Sequence, residues 1–204
     1  MPVEQLRSLQ RRERILDAAT GVFSTKGYHG TLVDEIALEA DTSKGGVYFH
    51  FPNKQAIFLA LFDRLSAMLR ERVEAAVAEQ PDPIARAESA LKVVLDTFGS
   101  HRRLARLFMV EALGAGPEFN VRMIQIRAAF ADLIREHLDE AVAAGAIPPL
   151  DTSTAAIVWF GALNEVVTHW ALAERPGRLE DAYPTIRALL LRGIGAPEKN
   201  ARAS

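Results

Sequence analysis

The chain has 204 residues, 49% of them hydrophobic, with 24 Lys and Arg against 26 Asp and Glu and no cysteine. That length buries a substantial core in one large domain or two smaller ones, and the missing thiols exclude a disulfide framework, a thiolate metal site and a cysteine nucleophile. A formal net charge of -2 supplies no bulk attraction to nucleic acid, so a nucleic-acid partner has to be argued from where individual cations sit.

No run reaches the roughly 18 uninterrupted apolar residues of a membrane-spanning helix, and the opening MPVEQLRSLQRRER is charged and lacks an apolar h-region. The expectation is a soluble, unexported, cytoplasmic protein without a membrane partner. Apolar residues recur at helical spacing throughout and no run alternates as a half-buried strand does, which predicts an all-α fold.

The first helix is expected over about 11–26, with Ile15, Ala18, Ala19, Val22 and Phe23 on one face and Gly27 as its left-handed C-cap. Thr31 is placed to cap a second helix that ends near Ala40, with Asp34 three residues on and Leu32, Ile36 and Ala37 facing inward. After the turn Asp41, Thr42, Ser43 comes a helix of about two turns, Lys44 to Phe51, capped by Ser43 and closed by Pro52. A long amphipathic helix follows over about 54–80, broken by Pro81 and Pro83. Further helices are expected over about 84–100, 103–113, 117–144, 152–173 and 180–193.

A helix, a three-residue turn and a very short second helix form the geometry that inserts a recognition helix into a major groove. Lys44 and Tyr48 lie one turn apart on one face, where the ammonium can reach guanine acceptors and the ring can pack on a thymine methyl. Gly45 and Gly46 allow close backbone approach, and Val47 and Phe51 anchor the helix inward. Thr31, Thr42, Ser43, His50 and Lys54 complete the candidate DNA-binding set, with Thr31, Ser43, His50 and Lys54 suited to phosphates, which orient without reading sequence.

An Arg-rich opening, Ala19 to Tyr28 as A-x-x-x-F-x-x-x-G-Y, Thr31 with Ile36 and Ala37, Ser43-Lys44-Gly45 and Tyr48 to Lys54 as Y-F-H-F-P-x-K occur in that order. In these residues the chain resembles the TetR family of transcriptional repressors. Two positions depart from that pattern: Thr42 stands where the family usually has an apolar core residue, and Gly46 where a Ser, Thr or Ala often contacts a base. The resemblance implies a three-helix DNA-binding domain over 1–53, a helical ligand-binding and dimerisation domain over 54–197, and a tail over 198–204 expected to be disordered.

It further implies that the last two helices pair between subunits, as a palindromic operator requires. Phe160, Leu163, Val167, Trp170, Ile186 and Leu190 are the candidate dimer contacts. The middle helices offer Phe58, Phe62, Leu65, Phe98, Leu107, Phe108, Met123, Phe130 and Trp159 either as the lining of an apolar ligand cavity or as packed core. Asn164, Glu165, Thr168 and His169 interrupt an otherwise apolar helix, and such groups need partners when buried, whether across a dimer or in a pocket.

The stretch G-A-L-N-E-V-V-T-H-W (161–170) resembles TetR-type repressors of fatty acid degradation, which respond to long-chain acyl-CoA. Under that resemblance Arg103 and Arg106, with His101 and Arg102, form a cluster for CoA phosphates, unless they simply face solvent. The alternative effector is an aromatic or drug-like compound.

No cofactor is expected. His29, His50, His101, His137 and His169 are scattered and no hydrolase, zinc-protease or phosphate-loop pattern occurs, which argues against an enzyme. A helical adaptor that binds only protein is the remaining rival, and it has no use for a capped two-turn helix carrying Lys44 and Tyr48.

Overall fold

A computed structural model describes residues 3–109 and 116–197. Among them all regular structure is helical: α1 (Val3–Gly30), α2 (Val33–Glu39), α3 (Lys44–His50), α4 (Lys54–Ala78), α5 (Pro83–Ser100), α6 (Arg102–Met109), α7 (Pro117–Ala143), α8 (Thr152–Leu172), a 3-10 turn (Leu179–Ala182) and α9 (Tyr183–Gly193). The all-α expectation holds. The helix ends expected at 110–113 and the tail over 198–204 lie outside the described residues.

Packing divides the chain into two compact units, Met1–Ala67 with Arg103–Met123, and Met68–Arg102 with Ile124–Ser204. The division runs inside α4, whereas the boundary expected from the sequence lies at 53/54, where α4 begins.

In the first unit α1 packs on α2 and α2 on α3. Regular α1 geometry stops at Gly27, whose φ of 73° only glycine adopts without steric strain. Its core is a ring cluster: Phe58 lies 5.0 Å from Phe23, 4.8 Å from Tyr28 and 5.2 Å from Phe119, while Phe62 lies 4.7 Å from Phe108. Burying a ring of this size contributes about 1.5–3 kcal/mol, and offset or edge contacts add to that. Arg64 of α4 also binds α1, donating to Asp17 at 2.7 Å and to the Thr20 hydroxyl at 3.1 Å.

The second unit has one core of Ile84, Leu138, Ala141, Ile147, Ala156, Leu191 and Ile194, and a second of Val73, Val77 and Leu133. Its helices begin on designed caps. Asp82 accepts from the Ala85 amide at 2.8 Å with Pro83 in the first turn, and Asp151 accepts from the Thr154 amide at 3.1 Å. Those bonds hold the Asp151 carboxyl below its ordinary range, led by the Thr154 hydroxyl. Arg187 of α9 donates to Glu88 of α5 at 2.9 Å.

Among the described residues α8 is the one helix long and apolar enough to cross a membrane by length and composition, with mean hydropathy 1.2. The sequence reading found no such span because Asn164, Glu165, Thr168 and His169 interrupt the run.

Candidate functional site

The turn between α2 and α3 is closed by the backbone. The Thr42 amide donates to Ala37 at 3.0 Å and the Asp41 amide to Leu38 at 3.2 Å, with Asp41 in the left-handed region at φ 50°. This is the bonding pattern of a glycine-type helix stop, made here with aspartate. The Ser43 hydroxyl accepts the Gly46 amide at 3.0 Å and so starts α3, as its position in the sequence implied. Val47 is fully buried and Phe51 nearly so, which fixes the roll of this two-turn helix.

With Val47 and Phe51 inward, Lys44, Gly45, Tyr48 and Phe49 face solvent. Tyr48 is 42% and Phe49 77% exposed. Phe49 was not among the residues singled out for DNA contact. Two residues beyond buried Val47 is about 200° around a helix, so the spacing alone points it outward.

Lys44 is held 2.9 Å from Asp34 of α2, and this pairing raises its pKa. It is a cation at any physiological pH, but a base contact has to draw it away from Asp34. His50 is half-buried, and burial followed by the charges of Arg11 and Arg12 lowers its pKa. Its Nε2 is buried and makes no hydrogen bond. The same repulsion shows that the end of α3 and two cations of α1 meet, and the Arg12 guanidinium lies 5.0 Å over the Phe51 ring. Arg11 and Arg12 had been noted only as part of an Arg-rich opening.

Two expected phosphate donors are spent elsewhere. Thr31 is fully buried, and its hydroxyl donates to the Gly27 carbonyl at 2.7 Å. The first turn of α2 is served instead by Glu35, which accepts the Leu32 amide at 3.1 Å, while Leu32 is exposed and Val33 takes the inward place. The Lys54 ammonium donates to the carbonyls of Tyr28 at 2.8 Å and Thr31 at 3.0 Å and lies 4.8 Å over the Tyr28 ring. A longer bond to the His29 carbonyl at 3.4 Å takes its third donor, so the ammonium clamps the start of α4 to the end of α1 and has none left for a phosphate. Thr42 is half-buried beside Gly46.

The expected ligand lining falls in both units. In the first, Phe58, Phe62, Leu107, Phe108 and Met123 are buried, Leu65 is half-buried, and Arg103 and Arg106 are exposed. In the second, Phe98, Phe130, Trp159 and Asn164 are half-buried; Phe130 stacks on Phe160 at 6.5 Å and Trp159 packs on the Ile84 core. Arg102 leaves the proposed CoA cluster, since it donates to the carbonyls of Ala171 and Ala173 and lies 5.7 Å over Trp170, closing the end of α8.

Of the expected dimer contacts, Val167, Ile186 and Leu190 are buried within the protomer and so belong to its core. Phe160, Leu163 and Trp170 are half-buried, and Trp170 donates to the Gly177 carbonyl at 2.8 Å. On α8 and α9 the exposed large apolar residues are Ile157, Val158, Leu172 and Leu189, at 65%, 58%, 49% and 70% exposure.

A capped two-turn helix with an outward face of Lys44, Tyr48 and Phe49, braced by α2, defines a helix-turn-helix DNA-binding regulator. Residues 15–61 match the bacterial regulatory proteins of the tetR family, and residues 80–193 match the tetracyclin repressor-like C-terminal domain. The chain belongs to the TetR family of transcriptional regulators.

It is 28% identical over 187 residues to the fatty acid metabolism regulator protein of Bacillus subtilis, covering 89% of this chain and 94% of that one. It is 34% identical over 173 residues to the HTH-type transcriptional regulator EthR of Mycolicibacterium smegmatis, covering 82% and 77%. Among solved structures, the transcriptional regulator FadR of Bacillus subtilis in complex with stearoyl-CoA superposes with a TM-score of 0.82 at 26% identity, covering 89% of this chain and 98% of that one. These relatives are transcriptional regulators and not enzymes.

Proposed function

We propose that this chain is a cytoplasmic repressor that binds a palindromic operator as a homodimer through α3 and leaves it when a long-chain acyl-CoA binds. The carrying observation is the exposed Lys44, Tyr48 and Phe49 face on a helix whose other side is locked by Val47 and Phe51. The acyl-CoA effector draws its support from the fatty-acid regulators that the chain resembles. Arg103 and Arg106, three residues apart and exposed on α6, are the cations left for CoA phosphates.

In this reading the acyl chain enters among Phe58, Phe62, Phe108 and Phe119, whose rings lie 4.7–6.2 Å apart. A shift of Phe58 moves Tyr28, and Tyr28 supplies a carbonyl to Lys54. The chain of contacts thus runs from the ring cluster to the end of α1, next to the DNA-reading helices. A ligand releases DNA only by favouring a state that no longer fits the half-sites.

Titration of the protein-operator complex with acyl-CoAs of increasing length tests this. Each buried methylene contributes about 0.8 kcal/mol, so potency should rise roughly fourfold per methylene and vanish for acetyl-CoA. Release that ignores chain length, or that only an aromatic compound brings about, overturns the acyl-CoA effector.

A further inference from the structure

Phe49 stands on the outward face of α3, where the fold makes no use of a ring. It is exposed, and the ring it meets is that of its neighbour His50, edge-on at 5.1 Å. A helical side chain leans back over the residues three and four positions before it, and for Phe49 these are Gly46 and Gly45. Neither has a side chain to cover the ring. A Cβ built on Gly45 would meet only the Ser43 hydroxyl, at 3.8 Å, so the space on that side is open. The ring thus borders a bare turn of backbone, and a base edge has room to approach it.

Which edge fits follows from chemistry. A phenyl ring has no donor or acceptor, so it can neither hold a phosphate nor match the polar groups that guanine, adenine and cytosine present in the major groove. Set against such a group it removes water without replacing the hydrogen bond, which is costly. Thymine adds an apolar group to that groove, its C5-methyl. Tyr48, one residue before, carries a hydroxyl that can serve a phosphate instead; Phe49 has no such alternative.

We infer that Phe49 is a specificity-determining residue: it selects thymine by packing on the methyl group and rejects the other bases by leaving their polar edges unmatched. This rests on α3 being the helix that reads DNA, and adds which base its outward ring reads.

A duplex selected by the full chain from a random pool tests it. Each thymine of that duplex is replaced in turn by deoxyuridine, which removes the methyl and keeps the base pairing. At one or two positions wild-type affinity should fall about fourfold, the contribution of one buried methyl group, while Phe49→Ala should bind the thymine and uracil duplexes equally. Selection repeated with Phe49→Asn, whose amide matches adenine, should lose thymine at those positions. Deoxyuridine without effect at every position, discrimination that survives in Phe49→Ala, or a Phe49→Asn selection that keeps the same thymine each overturns the assignment to Phe49. A wild-type chain that selects no duplex overturns α3 as the DNA reader itself.

Discussion

The hydroxyl oxygen of Thr42 fills the space that a side chain on Gly46 would need: a Cβ at Gly46 would stand 2.5 Å from Thr42 Oγ1 and 3.4 Å from the Ser43 hydroxyl. The two departures from the family pattern are thus one matched pair. A polar residue at 42 turns its hydroxyl onto α3, and α3 is trimmed to a hydrogen atom there.

That relationship predicts coupling. In the wild type, Gly46→Ala should lower stability by about 1 kcal/mol, because overpacking a β-branched neighbour outweighs the helical gain of alanine. In a Thr42→Ala background the same change should be neutral or stabilising, by up to about 1 kcal/mol. A thermal-denaturation double-mutant cycle measures the difference, and additive effects would refute the pairing.

Lys54 and Arg12 should separate structure from DNA contact. Lys54→Ala removes a charged donor from three main-chain acceptors and should cost about 1.5–3 kcal/mol of stability. Arg12→Ala should leave the melting temperature nearly unchanged and make the salt slope of operator binding shallower by about one unit. A Lys54→Ala protein as stable as wild type, with a shallower salt slope, would return Lys54 to the phosphate contacts.

On the outward face of α3, Tyr48→Ala and Phe49→Ala should each weaken specific binding by roughly 1–3 kcal/mol without loss of stability, since neither ring is buried. Asp34→Asn should tighten operator binding, because it frees Lys44 and removes a negative charge from the approach to DNA. Fluorescence anisotropy on operator and unrelated duplexes reads both effects.

Acidification should act through His50. Its folded pKa lies below the ordinary value of 6.5, so on lowering the pH the unfolded chain takes up the proton first. The stability that goes with a neutral His50 is therefore fully present above the unfolded value of about 6.5 and is lost below it, as pH falls through the lower folded pKa. His50→Asn should flatten the pH dependence of chemical denaturation over this range; an unchanged profile would show that His50 contributes nothing to it.

What could be seen in the sequence divides along physical lines. The helix-turn-helix was legible because its signals are local: Ser43 caps α3 from three residues before Gly46, and Val47 and Phe51 share a face one turn apart. The fate of Lys54 was not, because it reaches a carbonyl 26 residues earlier and only the fold brings the two together, whereas Thr31 turns to Gly27 four residues back, a local bond that competes with the capping role its position suggests. Phe58, Phe62 and Phe108 read the same whether rings line a cavity or close on one another, since both place them inward. On α8 apolar residues lie on both sides, so no stripe told inward Val167 from outward Ile157 and Leu172.

Ile157, Val158 and Leu172 leave one side of the apolar α8 uncovered by the rest of the chain. If a second copy covers that side, folding and assembly draw on the same contact, and the stability of the chain has no single value. Its melting temperature then climbs with protein concentration. In that case diluted subunits would lose their fold along with their partner, and scarcity of the protein would itself weaken DNA binding.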